Sequence, residues 1–366
     1  MATAPRTSTL DRPPPDDLGR SARRRHGLFW IGGLVAALAA TIVLAVCIGA
    51  VGLSPATVVR VVGHHTLGVP ATPDWSAPLD AIVWQVRLPR VLLGAAVGAA
   101  LAVCGVALQA MVRNLLADPY LLGITSGAST GAAGAILFGF GAGLGGNALP
   151  ASAFLGALAA SLAVFALARA SGRITSLRLL MAGVAVGYAL YAATGFLIFA
   201  SDSAEGSRSV LFWLLGSLGL ARWGVPLTVV LVVVCATVVT LALWSRHLDA
   251  LAIGDETAHA LGVSPTRLRV RLLAVVSLCV GAVVAASGGI GFVGLVIPHL
   301  ARRLVGAAHG RAVPVAALVG AGFLVWADVV ARVSLSPREL PLGIVTAIVG
   351  APFLLLLVRR FHHTSP

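Results

Sequence analysis

The chain has 366 residues, 58% of them hydrophobic and 11% charged, with a mean hydropathy of +0.97. That leaves too little polar surface for a water-soluble domain and marks an integral membrane protein. All 26 basic residues are arginine, against 13 acidic ones. A Walker A loop needs a lysine to reach nucleotide phosphates, so ATP hydrolysis by that route is not expected of this chain, and the net charge of +13 reads as membrane sidedness rather than nucleic-acid binding.

Residues 1–27 are rich in Pro, Arg and Asp and are expected to form a disordered cytoplasmic tail. Residues 28–360 then make one membrane domain. A span needs about 20 apolar residues, and ten stretches qualify: 28–50, 89–110, 120–140, 148–169, 177–200, 224–245, 268–288, 290–305, 312–333 and 341–358, the eighth being short. These runs are too continuous for barrel strands, so the expected fold is all-α. Between the first two spans, 51–88 reads as an irregular cap with a short helix at 54–62. The corner 113–119 is polar. In 201–223 the apolar run 210–220 is too short to span and is expected to lie as a helix at the interface.

The loop 246–267 carries the clearest local signals. Gly254 or Asp255 can cap a short helix from Glu256, with acidic residues suited to its first turn. Gly262 is placed to end it, and Ser264-Pro265 can open another helix. Two short helices in tandem would make a rigid knob. With this topology, 19 arginines fall on one side of the membrane and seven on the other. The rich side is the expected cytoplasmic one, with both termini on it.

Two segments share the pattern G-A-x-x-A-x-x-G: Gly98–Gly105 in the second span and Gly281–Gly288 in the seventh. Small residues at this spacing let helices approach closely, and two matching spans of opposite direction fit an inverted repeat. Cys47, Cys104, Cys235 and Cys279 all lie in spans, without metal-ligand spacing, and read as packing residues. His299 and the pair His64-His65 are equally weak as metal ligands. Asp328, inside the ninth span, is by position a functional candidate; pairing with Arg332 one turn on is the simpler reading.

The motifs RLPR (87–90), GAALAVCG followed by Gln109, NLLADP (114–119), LGITSGA (122–128), GDETAHALGV (254–263), GGIGFVGLVIPHLARR (288–303) and WADVVAR (326–332) together resemble the permease subunits of the iron-siderophore, haem and cobalamin ABC importers. The resemblance covers about 28–360. Leu115 stands where that family usually has proline, and Cys104 where it usually has serine.

This resemblance implies ten transmembrane helices in two inverted five-helix halves, in the cytoplasmic (inner) membrane of a bacterium. It implies no bond chemistry, no cofactor and no resident metal. The partners would be the lipid bilayer, a second permease chain (an identical copy or a sister permease), two separate ATPase subunits and an extracytoplasmic substrate-binding protein. Gly254, Asp255, Glu256, Ala258, Leu261 and Gly262 would form the loop that docks on the ATPase. Arg87, Arg90 and Arg332 would meet acidic residues of the binding protein. Asn114 and Leu116, with Thr175 and Ser176, would close the cytoplasmic end of the pathway. The expected cargo is a ferric siderophore, with haem or cobalamin as alternatives. A proton-coupled secondary transporter using Asp328 is the rival of a different class.

Overall fold

The computed structural model describes residues 20–49, 51–170, 172 and 174–362; the first 19 residues of the expected tail lie outside these. Fifteen α-helices follow in order among the described residues: α1 Arg20–Cys47, α2 Pro55–Leu67, α3 Ala77–Ala81, α4 Leu88–Val112, α5 Ile124–Phe138, α6 Ala148–Arg169, α7 Ser176–Phe199, α8 Ala204–Leu214, α9 Val225–Leu243, α10 Ser245–Ile253, α11 Asp255–Ala260, α12 Pro265–Ser287, α13 Val293–Val305, α14 His309–Val333 and α15 Leu342–His362. The described part of the chain is therefore all-α, with no strand.

Seven helical stretches among the described residues are long and apolar enough to cross a membrane; Ile124–Phe138 and Leu342–Leu357 are apolar but shorter. The expected eighth span shrinks to the 13 residues of α13, roughly 20 Å of helix at 1.5 Å per residue, against a hydrocarbon core of about 30 Å. The cause is local. Gly288 takes φ +68 and Phe292 φ +69, which breaks the helical path before α13, and the side chain of Phe292 fills the space beside Gly350 on α15.

Four other boundaries differ from expectation. Helix α1 starts at Arg20, eight residues inside the tail expected to be disordered. The cap helix runs on to Leu67, opened by Ser54, whose hydroxyl accepts the Thr57 N–H. The helix expected at the interface is α8, which starts early because Ser203 caps it and stops at Leu214. Beyond it the backbone turns at Gly216, and residues 215–217 exchange hydrogen bonds with Ser287, Leu342 and Gly343, which excludes helix from 215–220. Finally, Pro265 opens the long helix α12 itself, not a second short helix; the two short helices are α10 and α11.

Helix α4 is the axis of the fold. Nearly all of it is buried, and it packs on α14, α13, α12 and α9. Its glycines make this possible: a Cβ on Gly98 would collide with the carbonyl oxygen of Gly320 on α14, and one on Gly105 with that of Gly294 on α13, the close approach that small residues permit in a membrane. Gly281 on α12 also faces α6, but less tightly: a Cβ there would meet the side chains of Ala157 and Phe154 at 3.3–3.5 Å. Exchanging α4 with α12, α5 with α13, α6 with α14 and α7 with α15 carries the packed pairs α4–α14, α4–α13, α5–α6, α5–α7 and α6–α7 onto α12–α6, α12–α5, α13–α14, α13–α15 and α14–α15, and all of these pack.

Candidate functional site

Two polar joints occupy opposite ends of the helix bundle. The first gathers around Arg269 of α12, whose side chain is 1% exposed. Its Nη1 and Nη2 donate to Asp255 Oδ2 and Oδ1 at 2.9 and 2.7 Å. Nη2 also donates to Ser176 Oγ at 3.1 Å, Nη1 to the Ile174 carbonyl at 3.4 Å and Nε to the Met111 carbonyl at 3.3 Å. A guanidinium has five N–H donors, and here each has an acceptor. The acceptors belong to four segments: α11, the last turn of α4, the approach to α7, and α7 itself. Ser176 closes the ring by donating to the Met111 carbonyl at 3.2 Å. Hydrogen bonds from Arg269 are the largest influence on Asp255 and, with the fields of Arg269, Arg113 and His259, hold its carboxyl below the usual carboxylate range.

The loop residues singled out in the sequence split into two sets. Ala258 is fully buried, facing the body of the protein, and Asp255 is pinned by Arg269. Leu261 is 64% exposed and Ile253 69% exposed, with Glu256 exposed between them. An outward apolar pair flanking the six-residue helix α11, Ile253 at the end of α10 and Leu261 at the C-cap of α11, is a surface a partner can cover; Ile253 was not among the expected contact residues. Gly262 ends α11 with φ +78, and the Val263 N–H reaches back to the Ala258 carbonyl at 2.8 Å, the Schellman closure. Underneath, Asp249 of α10 holds the start of α14, accepting from the His309 backbone N–H at 2.9 Å and pairing with its ring Nδ1 at 2.6 Å.

The four expected gate residues gather at this same end but act as caps and turns. Asn114 Oδ1 accepts the Leu116 N–H at 2.9 Å, and Arg113 takes the left-handed C-cap of α4 at φ 55. This Asn-centred turn shapes the corner that lacks the usual proline. Leu116 is exposed. Asp118 accepts the Tyr120 N–H at 2.9 Å to open a short 3₁₀ turn, and burial raises its pKa to about 6. Thr175 is the N-cap of α7. Ser176 is the one of the four that joins the Arg269 cluster. Close by, Gln109 Oε1 accepts from Arg302 Nη2 at 2.5 Å, tying α4 to α13.

The second joint lies at the far end. Arg87, Arg90 and Arg332, expected to meet acidic residues of a partner, have hydrogen-bond partners within the chain. Arg90 donates to Asp328 at 2.9–3.2 Å and to both oxygens of Glu339 at 2.9 and 2.8 Å. Arg332 Nε pairs with Asp328 Oδ2 at 3.0 Å, while its Nη atoms donate to the Ala45 and Ile48 carbonyls. Arg87 donates to the carbonyls of Val46, Cys47 and Val51. The last carbonyls of α1 have no intrahelical donor, and guanidinium groups there satisfy them and oppose the helix dipole. Asp328 is thus the shared counter-ion of Arg90 and Arg332. Nearby, His65 and Trp75 both bind Asp80, and Trp84 stacks on His65. Among the described residues no group of His, Cys, Asp or Glu has a metal-binding arrangement.

A long axial helix, a small-residue core and a pinned surface knob together define a membrane permease. Residues 37–360 match the model of the FecCD transport family, and the chain belongs to that family, the permease subunits of iron-siderophore, haem and cobalamin ABC importers. It is 42% identical over 305 residues to the cobalamin import system permease protein BtuC of Halobacterium salinarum, covering 83% of this chain and 79% of that one. It is 41% identical over 299 residues to the hemin transport system permease protein HmuU of Yersinia pestis, covering 78% and 86%. A solved metal-chelate-type ABC transporter in an inward-facing conformation superposes with a TM-score of 0.78 at 35% identity, over 90% of this chain and 98% of that one.

Proposed function

We propose that this chain is one of two permease subunits of an ABC importer for a metal chelate, driven by two separate ATPase subunits and loaded by an extracytoplasmic binding protein. The observation that carries this reading is the α10–α11 knob: it presents Ile253 and Leu261 outward while Asp255 ties it to the ends of α4 and α7 through Arg269. Docking of an ATPase there would act directly on the corner that contains Asn114, Leu116, Thr175 and Ser176, which we assign as the gate.

In this reading the chain crosses a bacterial inner membrane ten times, with α5, α13 and α15 as short crossings, both termini cytoplasmic and the knob on the arginine-rich side. The exchange of packed helix pairs supports two inverted halves. The binding protein docks on the opposite face, where Arg338 and Glu339 are exposed, while Arg87, Arg90 and Arg332 shape that face from beneath. The proton-coupled alternative is disfavoured because Asp328, 4% exposed, sits between two guanidinium groups; with Glu339 the cluster has two charges of each sign.

For cargo we favour a ferric siderophore, with a relative 38% identical over 286 residues named as an Fe(3+)-citrate import permease in support; the metal-chelate-type structural relative fits any of these cargoes. Cobalamin and hemin, carried by the two relatives above according to their names, are the second reading. Uptake of each labelled compound by proteoliposomes holding this chain, its ATPase and its binding protein separates them. Accumulation of cobalamin or hemin without the siderophore would overturn the cargo while leaving the importer intact.

A further inference from the structure

The knob has two polar anchors among the described residues: Asp249 ties α10 to His309 of α14, and Asp255 ties α11 to Arg269, and only the second is shared with the gate. Helix α11 packs on α10 and α12, and its carboxylate Asp255 reaches Arg269, which also grips the Met111 carbonyl at the end of α4 and Ser176 Oγ at the start of α7. All five donors of this buried guanidinium are used. If α11 shifts and Asp255 leaves, two buried donors lose their partners, a costly state in the protein interior. The lower-cost path is for Arg269 and its other acceptors to move with α11. A saturated, buried arginine therefore behaves as a stiff link, where a lysine, a single rotatable point charge, would not.

We infer that Arg269 is the positioning residue that transmits displacement of the α10–α11 knob to the ends of α4 and α7, with Asp255 as its input and Ser176 and the Met111 carbonyl as its outputs. This rests on the importer reading. The link is asymmetric in its chemistry: α11 is held through a charged bidentate pair, and three neutral acceptors, the Met111 and Ile174 carbonyls and Ser176 Oγ, hold the gate side. Asp255 is the better residue to alter, because it is partly exposed and on the surface helix, whereas Arg269 is wholly enclosed.

The test uses the full complex in proteoliposomes. Asp255→Asn keeps the shape of the side chain and removes its charge; Ser176→Ala removes one output; Arg269→Lys keeps the charge and loses the fork. Four quantities are read: co-purification of the ATPase, ATP hydrolysis, cargo accumulated per ATP, and the distance between spin labels at Ala260 and Leu115 with and without nucleotide. The inference predicts that cargo accumulated per ATP hydrolysed falls roughly tenfold in Asp255→Asn, within the range typical of coupling between sites. It also predicts a label distance that changes with nucleotide in the variant and stays constant in the wild type. Asp255→Glu restores part of the coupling. A merely structural role would lower ATPase binding and transport together and leave their ratio unchanged. Wild-type cargo per ATP in Asp255→Asn overturns the inference. Failure of the unaltered chain to bind any ATPase overturns the importer reading itself, and is seen before any variant is made.

Discussion

Arg269 and Asp255 meet in a bidentate ion pair, with N–O distances of 2.9 and 2.7 Å, that joins the interior of a long membrane helix to a six-residue surface helix. The arginine is enclosed and the carboxylate 38% exposed, so one end of the pair is fixed and the other faces the surface. This asymmetry distinguishes it from an ordinary surface salt bridge, whose contribution is small.

The pair sets a pH limit. Asp255 has its carboxyl held below the ordinary value of 3.8, chiefly by hydrogen bonds from Arg269. A lowered folded-state pKa contributes stability that is complete above the unfolded value and is lost as pH falls through the folded one. Protection of the α11 amides against hydrogen exchange, corrected for intrinsic rates, should be flat from pH 8 to 5 and fall only below about 4. Loss of protection near pH 6 would show that Asp255 is not what anchors the helix.

Asp118 predicts the opposite sign. Burial raises its pKa to about 6, so the folded protein binds a proton before the unfolded chain does. Stability should therefore rise as pH drops from 7 toward 4, by an amount of order 1–3 kcal/mol. Asp118→Asn keeps an acceptor for the Tyr120 N–H and should abolish that slope in thermal unfolding followed in detergent. An unchanged slope would assign the pH response to another group.

Two substitutions, one inside α11 and one at its C-cap, should fail differently. Ala258→Asp buries a charge without a partner and should destabilise the fold. Leu261→Asp lies on the exposed face and should leave thermal stability within about 0.5 kcal/mol, while uncoupling ATP hydrolysis from transport. Measuring melting temperature beside ATP-driven uptake distinguishes the two. Equal loss of stability in both variants would mean that Leu261 is also a structural contact.

How much of this was legible in the sequence varied with range. The knob was readable because its signals are local: Gly254, the acidic first turn and Gly262 bound α11 by capping chemistry alone. The small-residue stripes around Gly98 and Gly281 announced helix contacts, since composition and spacing suffice for that. Partners far apart in the chain were not readable. Arg90 and Asp328 are 238 residues apart, and an arginine that caps a distant helix looks in sequence like one that greets a partner. Arg269 was one of a cluster of loop arginines, with nothing local to mark it as buried. The inward turn of Ala258 and the outward turn of Ile253 likewise depend on how α10 and α11 lie against α12 and α4. The shortness of α13 follows from the left-handed Phe292, a conformation that a bulky residue adopts only under tertiary constraint.

The far joint gives a further prediction. Arg90→Met leaves Asp328 buried with Arg332 as its remaining ion-pair partner and should cost about 1–3 kcal/mol for the lost charged hydrogen bonds, whereas Glu339→Gln, at a side chain 47% exposed, should cost less than about 1 kcal/mol. Thermal unfolding of the two variants side by side checks this. Equal costs would mean that Arg90 is held mainly by Glu339.

The central claim, that ATP hydrolysed by separate subunits drives this permease, is tested most directly by uptake into proteoliposomes of this chain with its ATPase and binding protein, comparing internal ATP with an imposed proton gradient. Accumulation of the chelate with ATP alone, insensitive to collapse of the gradient, is the predicted result. Uptake that follows the gradient and ignores ATP would contradict the account and return Asp328 to consideration as a proton carrier.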